Sequence, residues 1–123
     1  MRQIIITADD VSSAAELFDG PTADAVWEAL PLKAIASTWG DEIYFSIPVT
    51  ADEEPDARAE VAVGDLAYWP PGQAFCLFFG RTPASSGDAP RAASPVNVIG
   101  RVIGDATQFQ RVRSGDTVRL ARG

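Results

Sequence analysis

Along most of this chain apolar and polar residues alternate with a period of two, the pattern of strands that bury one face. Ile4 to Ile6 form a β-branched run that predicts a strand over 3–7. A second strand is predicted over 14–18, ending at the turn-prone pair Asp19-Gly20. The period then changes. Ala23, Val26, Trp27 and Leu30 recur at helical spacing between Pro21 and Pro31, which predicts a short amphipathic helix over 22–30. Alternation returns over 34–38 and 42–47, two strands joined at Gly40-Asp41. In the second of these, Ile43, Phe45 and Ile47 are predicted to face inward, and Glu42, Tyr44 and Ser46 outward.

Residues 50–59 carry Asp52, Glu53, Glu54, Pro55 and Asp56 and read as an acidic surface loop. An aromatic hairpin follows, with strands over 66–69 and 74–79. Between them, Pro71-Gly72 suits the centre of a type II turn with Gly72 at positive φ. The second strand is apolar on both faces, Phe75, Leu77 and Phe79 on one, Ala74, Cys76 and Phe78 on the other. It is therefore predicted to be covered on two sides. Residues 80–95 show no periodicity and read as a long loop, which in a compact domain is often functional. A strand over 96–103, a helical turn over 107–112 and a last strand over 117–120 complete the chain. Many short strands with one or two short helices predict a mainly β fold, a closed or nearly closed barrel. Its core is predicted to include Phe45, Val63, Leu66, Phe75, Leu77, Val98 and Val118.

Composition narrows the function classes. At 123 residues and 46% hydrophobic, the chain is expected to be one domain, 1–123, with a genuine core. No apolar run approaches the ~20 residues of a membrane helix. The start, MRQIIITADD, lacks the pattern of a secretory signal, and Cys76 stands alone, so a cytoplasmic location is expected. The formal net charge of −7 disfavours nucleic acid and anionic membranes as partners. Nine of the ten cations are Arg, whose planar fork suits carboxylate or phosphate. There is no His, which removes Ser-His and Cys-His nucleophiles, His-ligated metals and imidazole proton shuttles. The acidic run lacks the alternating ligands and central Gly of a calcium loop. No cofactor, metal or catalytic residue is predicted.

Three stretches, in order, resemble the cyclophilins. AELFDGPTADAVWEALP is similar to the segment in which a strand ends, a Pro-containing turn follows and a helix caps the barrel. GDLAYWPPGQAFCLFFGRTP is similar to the Gly-Ser-Gln-Phe-Phe-Ile run with its preceding strand, and PVNVIGRVIGDATQFQRVRSGD to the Phe-Gly-Lys-Val run with its helical turn. The chain resembles more specifically a short family of cyclophilin-like proteins of undetermined role from bacteria and archaea. That family's motifs stand here as Tyr68 to Gly72, Phe75 to Phe79, Pro90 to Pro95 and Val96 to Val98. The resemblance implies a single cyclophilin-like closed β-barrel with short capping helices. It also brings out what is missing. The strand that carries a catalytic Arg in prolyl isomerases reads Ile43-Tyr44-Phe45-Ser46-Ile47-Pro48 here. The Phe-Met-x-Gln motif has no counterpart, and Ala84, Ser85 and Ser86 stand where the later loop carries Trp. The resemblance thus implies a domain without the isomerase machinery.

The candidate ligand-binding residues are Tyr68, Trp69, Phe78, Arg81, Ser85, Arg91 and Asn97. Tyr68 and Trp69 put polar tips beside a rigid turn, where a pocket rim is expected. Arg81 and Arg91 sit among small hydroxyl residues, a composition that suits an anion or equally a braced loop closed through Asp88. Cys76, between Phe75 and Leu77, reads as a small buried hydrophobe. Three functions compete: a module binding a small ligand, with an anionic group as one candidate, or a peptide; a weak prolyl isomerase borrowing an Arg such as Arg91; and a non-catalytic interaction subunit.

Overall fold

A computed structural model describes residues 2–123. In chain order the elements are β1 (Arg2–Ala8), β2 (Val11–Leu17), α1 (Pro21–Ala29), β3 (Leu32–Ile35), β4 (Ser37–Thr38), β5 (Glu42–Ser46) and β6 (Arg58–Glu60). Then come β7 (Asp65–Trp69), β8 (Ala74–Phe78), β9 (Arg91–Val102) and β10 (Thr117–Arg122), with 3-10 turns at Pro70–Gly72 and Ala106–Arg111. The strands form one sheet in the order β3-β10-β1-β2-β9-β7-β8-β5-β4, with β6 paired to β9. Every strand pair is antiparallel. The two ends of this ladder, β3 and β4, are separated along the chain only by Ala36. Its N–H donates to the Asp116 carbonyl, and its carbonyl accepts from Gly115.

Alternation builds the core as expected. Ile4, Ile6 and Ala8 of β1 face Val11, Ala15 and Leu17 of β2, all buried. Val26 and Ala23 press α1 onto the same core. Pro21 opens the helix, and the Leu30 N–H closes it on the Trp27 carbonyl just before Pro31. Ile43, Phe45, Phe75 and Leu77 complete the interior, with the Phe45 and Phe75 rings stacked 5.2 Å apart. On the opposite face of β7 and β8 lies a second apolar cluster built on Ala67, Ala74, Cys76 and Phe78. Its cover comes from Val61, Ala92 and Val96. Strand β8 is therefore buried on both sides, as its sequence predicts. No helix among the described residues is long and apolar enough to cross a membrane.

Several boundaries move, each for a physical reason. Strand β2 starts at Val11, ahead of the predicted 14, because Ser13 occupies an inward position and donates to the Ile103 carbonyl at 3.2 Å. The acidic loop ends early, since Arg58–Glu60 pairs with β9. The long loop is shorter than predicted, because residues 91–95 extend β9 to meet β6. At the hairpin turn, the positive φ (47°) belongs to Gln73 rather than Gly72. A Cβ on Gly72 would sit 2.6 Å from the Trp69 ring, so glycine is needed there for space. Of the predicted core, Val63 is 52% exposed and Val98 half-buried. Glu42, predicted to face outward, does leave the core, but it is only 6% exposed.

Candidate functional site

The outer face of β5 and β8 is where polar chemistry meets an apolar surface. Strand register pairs Glu42 with Phe78 and Tyr44 with Cys76, which puts Glu42 and Cys76 on one face as diagonal neighbours. Above them lies a pocket of about 220 Å³. Trp39, Tyr44 and Trp69 supply its aromatic lining. Ala92, Ala93 and Val96 of β9 line it further, and Glu42 and Cys76 complete it. The volume is below the roughly 300–1,000 Å³ of sites for drug-sized ligands, so it suits a small molecule or one side chain.

Local structure holds these groups in place. Gly40 turns the β4–β5 connection at φ +60°, and the Trp39 N–H bonds the Glu42 carbonyl at 2.9 Å. A side chain at Gly40 would meet the Arg81 carbonyl at 2.8 Å, because the 79–90 segment packs onto this turn. The Asp41 N–H donates to the Arg81 carbonyl at 2.7 Å, and the Phe79 N–H to the Asp41 carbonyl at 2.8 Å. Trp69 is fixed by its indole N–H, which donates to Ser94 Oγ at 2.7 Å. All three aromatics remain half-buried, with surface left for an occupant.

Electrostatically the pocket is defined by one acid. Burial pushes the Glu42 carboxyl up from 4.5 to about 7, with a smaller opposing effect from the Cys76 thiol donating to it. Burial first, and then the adjacent Glu42, push the Cys76 thiol well above its ordinary value. The thiol thus stays protonated, with the Glu42 carboxyl and the Ala74 carbonyl (3.9 Å) as its acceptors. It has little nucleophilic character. No Arg or Lys lines the pocket.

Of the seven candidate residues, Trp69 lines this pocket and the others lie elsewhere. Tyr68 is fully buried in the main core, its hydroxyl donating to the Val49 carbonyl at 2.6 Å and accepting from the Ala51 N–H. Consecutive strand residues point to opposite faces, so Tyr68 and Trp69 cannot share a rim. Phe78 is buried in the second cluster, beneath the surface. Arg81 is exposed and anchors its loop through its backbone carbonyl. Ser85 braces the same loop, accepting from the Thr82 N–H and donating to the Ala89 carbonyl. Arg91 pairs with Glu60 across β6 and β9, not with Asp88. Asn97, 1% exposed, accepts from the Glu54 N–H at 2.8 Å and donates to the Asp52 carbonyl and Thr22 Oγ1. It ties β9 to α1 and the acidic loop.

Sequence reasoning missed Trp39, Glu42, Tyr44 and the β9 residues. Part of the signal was present: alternation puts Glu42 and Tyr44 on the face of β5 opposite the core, beside a strand apolar on both sides. What covers that face is contributed by β9, whose first residues carry no strand pattern. A second depression, near Asp9, Asp10 and Arg113, is polar and holds the Arg111–Asp10 ion pair at 2.6 Å.

Comparison with known proteins agrees with this architecture. A family model described as Cyclophilin-like matches residues 2–121. Among solved structures, a hypothetical protein from Archaeoglobus fulgidus, determined in solution, is similar at 40% identity and a TM-score of 0.83. The alignment covers 99% of this chain and 95% of that one. No curated protein matches the chain. With a family match over nearly its whole length and a close structural relative, the chain belongs to the cyclophilin-like family.

Proposed function

We propose that the protein is a binding module, and that the pocket between β5, β8 and β9 takes a small ligand or a single peptide side chain without transforming it. One observation carries this: an aromatic-lined pocket on the outer face of the sheet contains a nearly buried acid and no basic side chain to neutralise it. The ladder ends β3 and β4, joined through Ala36, support a sheet that curls into a closed barrel with this face outward. Prolyl isomerisation needs a positive group to brace a twisted amide, and the pocket lining offers none. Arg91 is engaged by Glu60, and Arg81 anchors a loop through its backbone. The same two assignments weigh against an anion held by Arg81 and Arg91.

The test is fragment titration followed by the three Trp indole N–H resonances. Trp27 lies on α1 between the guanidiniums of Arg2 and Arg122, at 5.4 and 4.8 Å, and serves as an internal control. Fragments that bind as proposed shift Trp39 and Trp69 and leave Trp27 in place, and Trp69→Ala abolishes the effect. Shifts confined to other surfaces, or acceleration of a proline peptide's cis–trans exchange, would refute the reading.

A further inference from the structure

We infer that the occupant of this pocket is a small organic cation, an alkylated ammonium group held by Trp39, Tyr44 and Trp69 against the Glu42 carboxylate. The inference deepens the binding reading above and rests on it.

Three features converge on a cation. Aromatic faces attract ammonium groups through their quadrupole, and clusters of them favour alkylated ammonium, whose hydration is weak. Three of the eight residues lining the pocket are aromatic, two of them Trp, the strongest partner. Glu42 is the second feature. A carboxyl this buried ionises at a cost unless a positive partner is supplied, and here none is built in. The groups lining the pocket with it are the aromatics, Ala92, Ala93 and Val96, and the Cys76 thiol; burial and Glu42 hold that thiol protonated, and none of the lining side chains is a base. Asp41, next in the chain, adds only negative charge, and Arg91, next to Ala92, is engaged by Glu60. A bound cation would be the missing partner. The third feature is the whole-chain charge of −7, which raises the local concentration of cations and repels anions.

Binding and ionisation are then linked. Occupancy by a cation draws the proton off Glu42, so affinity rises with pH until the carboxyl is ionised in the free protein. The small volume sets a further limit: a trimethylammonium head fits the description better than a large polar molecule.

The experiment compares choline with 3,3-dimethyl-1-butanol, its neutral carbon isostere, by titration against the Trp39 and Trp69 indole signals. A peptide bearing trimethyllysine forms a third arm, which separates a free small molecule from a side chain as the source of the cation. Choline or the peptide is expected to bind about tenfold or more tightly than the alcohol, a preference within the range of cation–π and ion-pair contributions. Affinity for the cation is expected to strengthen between about pH 5.5 and about pH 8 in the wild type. Glu42→Gln should remove both the pH dependence and most of the preference for the cation over the alcohol. Equal binding of cation and isostere overturns the cation inference and leaves the pocket reading standing. Absence of any cation binding to Trp39 and Trp69 also overturns it, and the neutral fragments then decide the pocket reading separately.

Discussion

Placing Glu42 under an aromatic cover gives the protein a slope of stability against pH opposite to that of ordinary paired carboxylates. In the folded chain its carboxyl titrates at about 7, against 4.5 when solvated. Below about 4.5 both states hold the proton and burial carries no charge penalty. Between 4.5 and about 7 the folded state holds a proton that the unfolded state has released, so stability falls as pH rises. Above about 7 the folded chain carries the buried charge and the penalty is complete. At roughly 1.4 kcal/mol per pH unit, that separation amounts to about 3 kcal/mol. Glu42→Gln keeps the shape and removes the charge. Urea unfolding at about pH 4 and about pH 8 should show the two proteins alike at the lower pH and the variant about 3 kcal/mol more stable at the higher. Glu60, held below its usual range by Arg91, and Asp105, held down by the Thr107 hydroxyl and N–H, lose their contributions only at lower pH. Both are common to the two proteins and cancel in the difference. A difference that stays constant between the two pH values would refute the reasoning.

Other substitutions probe the frame around the site. Tyr68→Phe strips the hydroxyl from the buried Val49 carbonyl and Ala51 N–H, and urea unfolding should show a loss of about 1–2 kcal/mol. Asn97→Ala cuts three links from β9 to the 52–54 segment and Thr22. A loss of about 2 kcal/mol or more is expected, with faster hydrogen exchange at the Glu54 amide. Gly100→Ala drives a methyl into the Glu16 carbonyl oxygen where β2 and β9 pair, and should destabilise by about 2 kcal/mol or more. Gly87→Ala, with open space around it, should change stability by less than about 0.5 kcal/mol in the same unfolding assay.

Much of the frame was legible because it depends on local alternation. Ile4 and Ile6, Ile43 and Phe45, and Phe75 and Leu77 repeat every second residue, and the structure buries each of them. The helix was legible from its Pro brackets and its stripe. The misses share a cause: polar or small residues at strand positions whose partners are distant in sequence. Ser13 is acceptable inside because the Ile103 carbonyl, at the far end of the chain, accepts its hydrogen bond. Arg91-Ala92-Ala93-Ser94-Pro95 has no β-branched side chain, and it is a strand because β6 is there to pair with it. The site was less legible than the fold for the same reason. Its acid lies on β5, its thiol on β8 and its cover on β9, and only the tertiary arrangement unites them.

The two-sided burial of β8 has a consequence for how this scaffold can change. On β5 and β8 the odd-numbered residues, Ile43, Phe45, Phe75 and Leu77, belong to the interior, while Glu42, Tyr44 and Cys76 belong to the pocket. The pocket lining and the main core are thus written on interleaved positions of the same strands. Changes at the even positions reach the main core only indirectly, so their energetic effects should add to those of interior substitutions with little coupling. A library randomised at 42 and 44 would therefore vary the pocket lining while leaving the main core's side chains unchanged. In this chain the parity of a residue number on β5 or β8 separates the face turned to the main core from the face turned to the pocket and the second apolar cluster.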